Sequence, residues 1–284
     1  MINQEHIKQD LRYIGEILKS GDSLSVKNPE VGFISVDKGN VGKSGNGLQH
    51  IIEQRFEKDG KSIDEISAVL ALVMNATEDG KVSRNVEIFQ GEKDIGTFDI
   101  EKNGIISFVS KTRDGKDEKF VITGFDDFSK RDEAGAAIEA VIANNSYAPE
   151  FVIVKEQVVA TLASAYILHL DELKCNLEKN DFKKVNQELK KIEPYKKSEE
   201  LKDFFEKSKY QTSAHNPLTD YTVLDVDGTS VECKTGLISG MKNAVRHVMQ
   251  LQDEVERLTE ENERLKKLSK IHSKNHSHSH GWER

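Results

Sequence analysis

Cysteine is almost absent from the chain. Cys175 and Cys233 are the only two in 284 residues, too few and too far apart for a disulfide framework or a cysteine metal cluster, and this fits a reducing compartment. Four prolines exclude Pro-rich linkers and suit long helices. No apolar run continues unbroken for the roughly 20 residues that a bilayer span requires. The most apolar stretch, residues 151–170, is interrupted by Lys155, Glu156 and Gln157. The opening segment MINQEHIKQDLRYIGEILK has no apolar core followed by a small-residue cleavage site, so it is not a signal peptide. A soluble, cytoplasmic chain without a membrane partner is expected. H-E-x-x-H and G-x-S-x-G are both missing, and no metal ligand set or cofactor is expected. GKSGNG (42–47) lacks the G-x-x-x-x-G-K-[ST] frame of a phosphate-binding loop. An excess of one charge is also lacking in the basic direction: 41 Lys and Arg stand against 49 Asp and Glu, a net of -8. Any nucleic-acid site must therefore be a local patch.

What is present is periodicity. Hydrophobic residues make up 36% and charged residues 32%, which suggests a modest core with long solvated helices. Ile7, Leu11, Ile14 and Leu18 form a helical stripe in residues 4–19. Residues 20–47 are rich in Gly, Ser and Asn and read as a loop with one short strand at 31–36. A helix over 48–58 is followed by Ser62-Ile63-Asp64-Glu65, a capping box that starts another. After Gly80 the period shortens. VEIFQ (86–90), IGTFDI (95–100), IISFVS (105–110) and KFVITGF (119–125) read as strands, with Asn103-Gly104 and Asp114-Gly115 suited to tight turns. The expected fold class is α+β: N-terminal helices, then a small antiparallel meander, then long C-terminal helices.

Further on, helices are expected over 132–145, 150–180 and about 182–208, and 209–236 is a polar connection with room for a hairpin at Asp227-Gly228. Leu237, Met241, Ala244, Val248, Leu251, Val255, Leu258, Asn262 and Leu265 then alternate at four and three residues, the seam of a coiled coil over 237–271. Val at a, Leu at d and Asn262 in the seam favour a parallel homodimer; the alternative is one amphipathic helix packed on its own chain. His272, His276, His278 and His280 lie in the tail 272–284, a polar tract able to catch a metal only weakly.

The segment GLQHIIEQRF (47–56) sets His50 between Leu48 and Ile51-Ile52, with Arg55 five residues on. Together with IEKNGIISFVS, KFVITGF and the later AYILHL, it resembles the phage- and mobile-element-associated endoribonuclease domains of the barnase–EndoU–colicin–RelE-like superfamily, particularly versions in Helicobacter- and Campylobacter-type genomes. The resemblance covers about residues 43–168 and places a barnase-like domain at 41–150, with 1–40 and 180–284 outside it. It implies metal-independent RNA cleavage, in which the ribose 2′-OH attacks the adjacent phosphate to leave a 2′,3′-cyclic phosphate. Carried over by position, His50 is an acid or base, Arg55 a phosphate clamp and Thr123 a hydroxyl on a phosphate oxygen. Arg84 and Lys119 are weaker substrate-binding assignments, with solvated edge charges as the alternative. RNA is the implied partner, and an immunity or antitoxin protein would accompany a toxin.

Two departures stand against it. Phe125 occupies the place where some members carry a tyrosine, and residues 41–150 sum to about -7, awkward for gripping a polyanion. Two classes of function follow: an endoribonuclease, or a catalytically inert assembly protein of a phage or mobile element joined through its coiled coil.

Overall fold

The computed structural model describes residues 2–42, 44–179, 181–211, 221–226 and 229–234, and residues 257, 258, 261 and 264. Its elements are α1 (Gln4–Ser20), β1 (Leu24–Asn28), β2 (Gly32–Val36), α2 (Gly47–Asp59), α3 (Ile63–Asp79), β3 (Lys81–Val86), β4 (Phe89–Gln90), β5 (Lys93–Asp94), β6 (Thr97–Lys102), β7 (Ile105–Ser110), β8 (Phe120–Asp126), α4 (Arg131–Asn145), α5 (Pro149–Glu178), α6 (Phe182–Lys197), α7 (Glu199–Gln211), β9 (Tyr221–Val226) and β10 (Thr229–Lys234). The class is α+β. One compact unit comprises Met1–Leu168 with Lys190–Phe204, and a second comprises His169–Leu189 with Phe205–Arg284. Apart from Leu258, the residues of the expected coiled-coil seam lie outside the described residues, as do the tail histidines.

The first unit is built on a six-stranded sheet in the order β1-β2-β8-β7-β6-β3. All its neighbouring strands are antiparallel except β2 and β8, which meet in parallel at Ser35 and Phe120. The expected meander exists as β3, β6, β7 and β8. Asn103-Gly104 turns β6 into β7 with φ of 53° and 73°, the left-handed pair that a two-residue hairpin needs.

Two expectations are corrected. Residues 20–47 hold the strand expected at 31–36 as β2, but also a strand β1 that was not expected, and the two form a hairpin in the same sheet as the meander, with α1 packed on α3. Residues 1–40 and 41–126 thus share one sheet. Polar exposed positions of the hairpin mask the alternation Val26, Ile34 and Val36, all buried. The strand expected at 86–90 is displaced to Lys81–Val86, while Phe89–Gln90 pairs with Lys93–Asp94 in a separate ribbon. Gly91, at φ 66°, supplies the turn between the ribbon's two strands.

Helix α3 is the centre of the core. From Ile66 to Thr77 every residue is buried, more than one amphipathic face, because the sheet covers one side and α1, α2 and α4 pack around the rest. Its capping box forms as the sequence indicates: Glu65 N–H donates to Ser62 Oγ at 3.3 Å, and Ser62 N–H donates to Glu65 Oε2 at 2.8 Å. The inner sheet face offers Ile100, Ile105, Val109 and Val121 to α3. Gly124 is required there, since a Cβ would lie 2.3 Å from Val73.

Helix α5 contains a stretch, Pro149–Leu173, long and apolar enough by length and composition to cross a membrane. Phe151, Val154, Val158, Leu162 and Tyr166 on it are nevertheless buried in the first unit. In the second unit His169 Nδ1 lies 3.1 Å from Glu188 Oε2, both buried, and β9 pairs antiparallel with β10.

The junction between β2 and α2 is held by Asp37. Its carboxylate accepts from Ser35 Oγ at 2.8 Å and pairs with Arg113, and its carbonyl accepts from Leu48 N–H at 3.0 Å. Burial alone would raise the Asp37 pKa, but hydrogen bonds from Ser23, Arg113 and Ser35 outweigh it and hold the carboxyl below its usual range. A depressed folded pKa stabilises the fold above the unfolded value near 3.8 and loses that contribution as pH falls through the folded pKa. Asp37→Asn is expected to cost about 1–2 kcal/mol at pH 7. In urea titrations the difference from wild type should shrink steadily below about pH 4.

Candidate functional site

The five residues singled out in the sequence fall on three parts of the first unit. His50 and Arg55 are on α2, Arg84 is on β3, Thr123 is on β8, and Lys119 immediately precedes β8. Strand register aligns Arg84, Asp99, Phe108 and Thr123 in one row across four strands. At about 4.8 Å per strand, Arg84 and Thr123 are roughly 14 Å apart. Lys119 lies about 20 Å of extended chain from Phe125, and its carbonyl accepts from Ser35 N–H at 2.8 Å to join β2 to β8. The five are not gathered into one constellation.

His50 faces its own loop. Its side chain is 15% exposed, and Nδ1 is buried, 3.9 Å from Glu53 Oε2 and without a hydrogen bond. A Cβ at Gly45 would approach that same nitrogen to 2.7 Å. The glycine-rich stretch is explained here: Asn40 bridges to Asn46, and Gly39, at φ 70°, has no room for a Cβ beside Asn46. These glycines close a loop onto the start of α2. Burial pushes the His50 pKa down, with Lys58 and Arg55 adding to the effect and Glu53 opposing it. At neutral pH the ring is therefore uncharged, a form able to accept a proton. The hydroxyl oxygen of Thr123 is likewise buried without a hydrogen-bond partner.

Arg55 opens on a different set of residues. An open cleft of about 720 Å³ lies between the end of α2, the end of β8 and the start of α4, lined by Arg55, Lys58, Lys61, Phe125, Phe128 and Arg131 with Asp59 and Asp126. Arg55 pairs with Asp59 at 2.5 Å and Lys61 with Asp126 at 2.7 Å. Burial lowers the Arg55 pKa, opposed by Asp59 and Asp126. Lys58 and Arg131 make no ion pair among the described residues. The Arg131 guanidinium instead sits 5.1 Å from the Phe128 ring, which is 83% exposed. Four cations against two carboxylates, with two phenylalanines, make a local basic and aromatic patch on an acidic chain.

Of this group sequence reasoning had found Arg55 and had noticed Phe125 only for lacking a hydroxyl. The signal for the rest was the FSKR run at 128–131 and the Lys58–Lys61 cluster at the break between α2 and α3. Neither is periodic, and only the fold brings them together. Compared with family models, curated proteins and solved structures, the chain finds no match.

Proposed function

We propose that the first unit binds single-stranded RNA in the Arg55 cleft, as a domain of the barnase–RelE-like kind encoded by a phage or mobile element. The observation that carries this is the cleft's composition: cations to hold phosphates and an exposed ring, Phe128, on which a base can stack. The reaction proposed for it is metal-independent cleavage. In that reaction a neutral His50, which lies on the loop side of α2 and not in the cleft lining, is the candidate base for the 2′-OH. The P–O5′ bond breaks as the P–O2′ bond forms, the departing 5′-oxygen takes a proton from solvent, and Arg55 is the cation on the phosphorane. A second reading, a catalytically inert assembly protein that self-associates through 237–271, is favoured by one specific observation. His50 Nδ1 and the Thr123 hydroxyl are buried rather than open to a ligand.

Binding is tested by fluorescence anisotropy with a labelled single-stranded RNA. Lys58→Glu with Arg131→Glu should weaken affinity at least about 10-fold at moderate salt. The slope of log K against log salt should also flatten by roughly 1.4, the share of two cations on a single strand. Unchanged affinity and slope in a folded double variant would remove the cleft from the account. Cyclic-phosphate ends on RNA incubated in EDTA separate an enzyme from an inert assembly protein.

A further inference from the structure

At the far end of α3 from this cleft, α1 and α3 bring together a second group of side chains. His6 and Asp10 stand four residues apart on α1, and Glu78 comes from the last turn of α3. One nitrogen of His6 and one oxygen each of Asp10 and Glu78 lie within 4.8 Å of one another. His6 Nε2 is 2.6 Å from Glu78 Oε2 and 3.8 Å from Asp10 Oδ1.

Two observations point to a cation as the ligand of this group. First, Asp10 is 0% exposed and neither carboxylate oxygen makes a hydrogen bond of ordinary length; the Asn75 amide and the His6 ring, 3.8 Å from Oδ1, are polar groups beside it. A carboxylate in that position is costly unless a cation meets it. Second, the other face of the imidazole is already oriented: Nδ1 lies 3.3 Å from Asp79 Oδ2 and 3.4 Å from Asn75 Nδ2. These partners on α3 hold the ring so that Nε2 is the nitrogen facing Asp10 and Glu78. His6 and Glu78 are half-buried and Asp79 is exposed, so an ion has a way in.

We propose that His6, Asp10 and Glu78 bind one divalent first-row transition ion, with Zn²⁺ the best fit to one imidazole nitrogen and two carboxylate oxygens. The ion replaces the His6–Glu78 hydrogen bond and pins the first turns of α1 to the end of α3. The 17 residues of α3 span about 25 Å, so this site is separate from the RNA cleft and does not rest on it.

The test uses the full chain with His272, His276, His278 and His280 replaced by Asn, which removes the tail as a competing site. After EDTA and dialysis, titration calorimetry with ZnCl₂ should show one equivalent bound at micromolar Kd or tighter, with a higher melting temperature. Asp10→Asn and Glu78→Gln, each added separately, should weaken that equivalent at least 100-fold. Co²⁺ in place of Zn²⁺ should give a visible d–d spectrum that His6→Gln abolishes. If Asp10→Asn does not fold, Glu78→Gln at the rim of the site decides alone. No Zn²⁺ bound at tens of micromolar, or an equivalent bound with unchanged affinity in the folded variants, overturns the proposal.

Discussion

Tyr195→Ala is expected to destabilise the first unit by about 3–5 kcal/mol, the range for removing a large buried aromatic side chain. Tyr195 lies on α6, yet it is among the largest fully packed side chains of the α+β unit. Its ring centroid is 4.9 Å from Phe56, tilted by 57°, and 5.6 Å from Tyr166, nearly stacked at 19°. Both arrangements suit the quadrupoles of aromatic rings. The hydroxyl donates to Glu57 Oε1 at 2.7 Å. Burial, with the Glu57 anion beside it, pushes the phenol far above its ordinary pKa, so it remains a donor at every pH the protein meets. Tyr195→Phe removes only the hydrogen bond and should cost about 1–2 kcal/mol. Guanidinium unfolding followed by near-UV circular dichroism reads both. Equal, small losses in the two variants would mean that the ring contributes little and α6 is only draped on the unit.

Tyr195 also shows where the sequence was hard to read. KKIEPYKKSEE is dominated by charge, and residues 182–208 scan as a solvated helix. Within it Val185, Glu188, Ile192 and Tyr195 are all buried, at spacings of three, four and three. The stripe was legible as periodicity, but one of its members is a glutamate and a proline interrupts it. The elements that sequence alone placed well carry local signals: the Ser62 capping box, the Asn103-Gly104 turn, and α2 and α3 with their dense apolar spacing. Of the hairpin β1–β2 only β2 was legible, because the strands have only five residues each and three of the ten are exposed, Phe33 included. Its pairing with β8 joins segments some 85 residues apart, which no local pattern encodes. The basic cleft was missed for the same reason. Its cations come from the end of α2, the turn beyond it and the start of α4, so their proximity belongs to the tertiary fold.

His50→Ala separates the two functional readings more sharply than any other single change. If His50 is the base for the 2′-OH, the variant should lose roughly 10²–10⁴-fold in the rate of forming cyclic-phosphate ends, measured in EDTA. RNA affinity should stay near wild type, because the cations of the cleft are untouched. The pH profile gives an independent reading. Burial lowers the His50 pKa below its ordinary 6.5, so the wild-type rate should be flat through pH 7–8 and fall only below that depressed value. Turnover that instead rises through pH 7–9 would assign the base to another group. The ring's packing against the 39–47 loop adds a stability loss of about 1–3 kcal/mol in the alanine variant, so rates are compared well below its melting temperature. His50→Gln retains much of the packing volume while removing the base, and it should lose turnover as severely with a smaller shift in melting temperature. Should both variants keep wild-type cleavage and lose only stability, His50 is a loop-packing residue. The buried Nδ1 then has a purely structural meaning, and the base for the 2′-OH is another group.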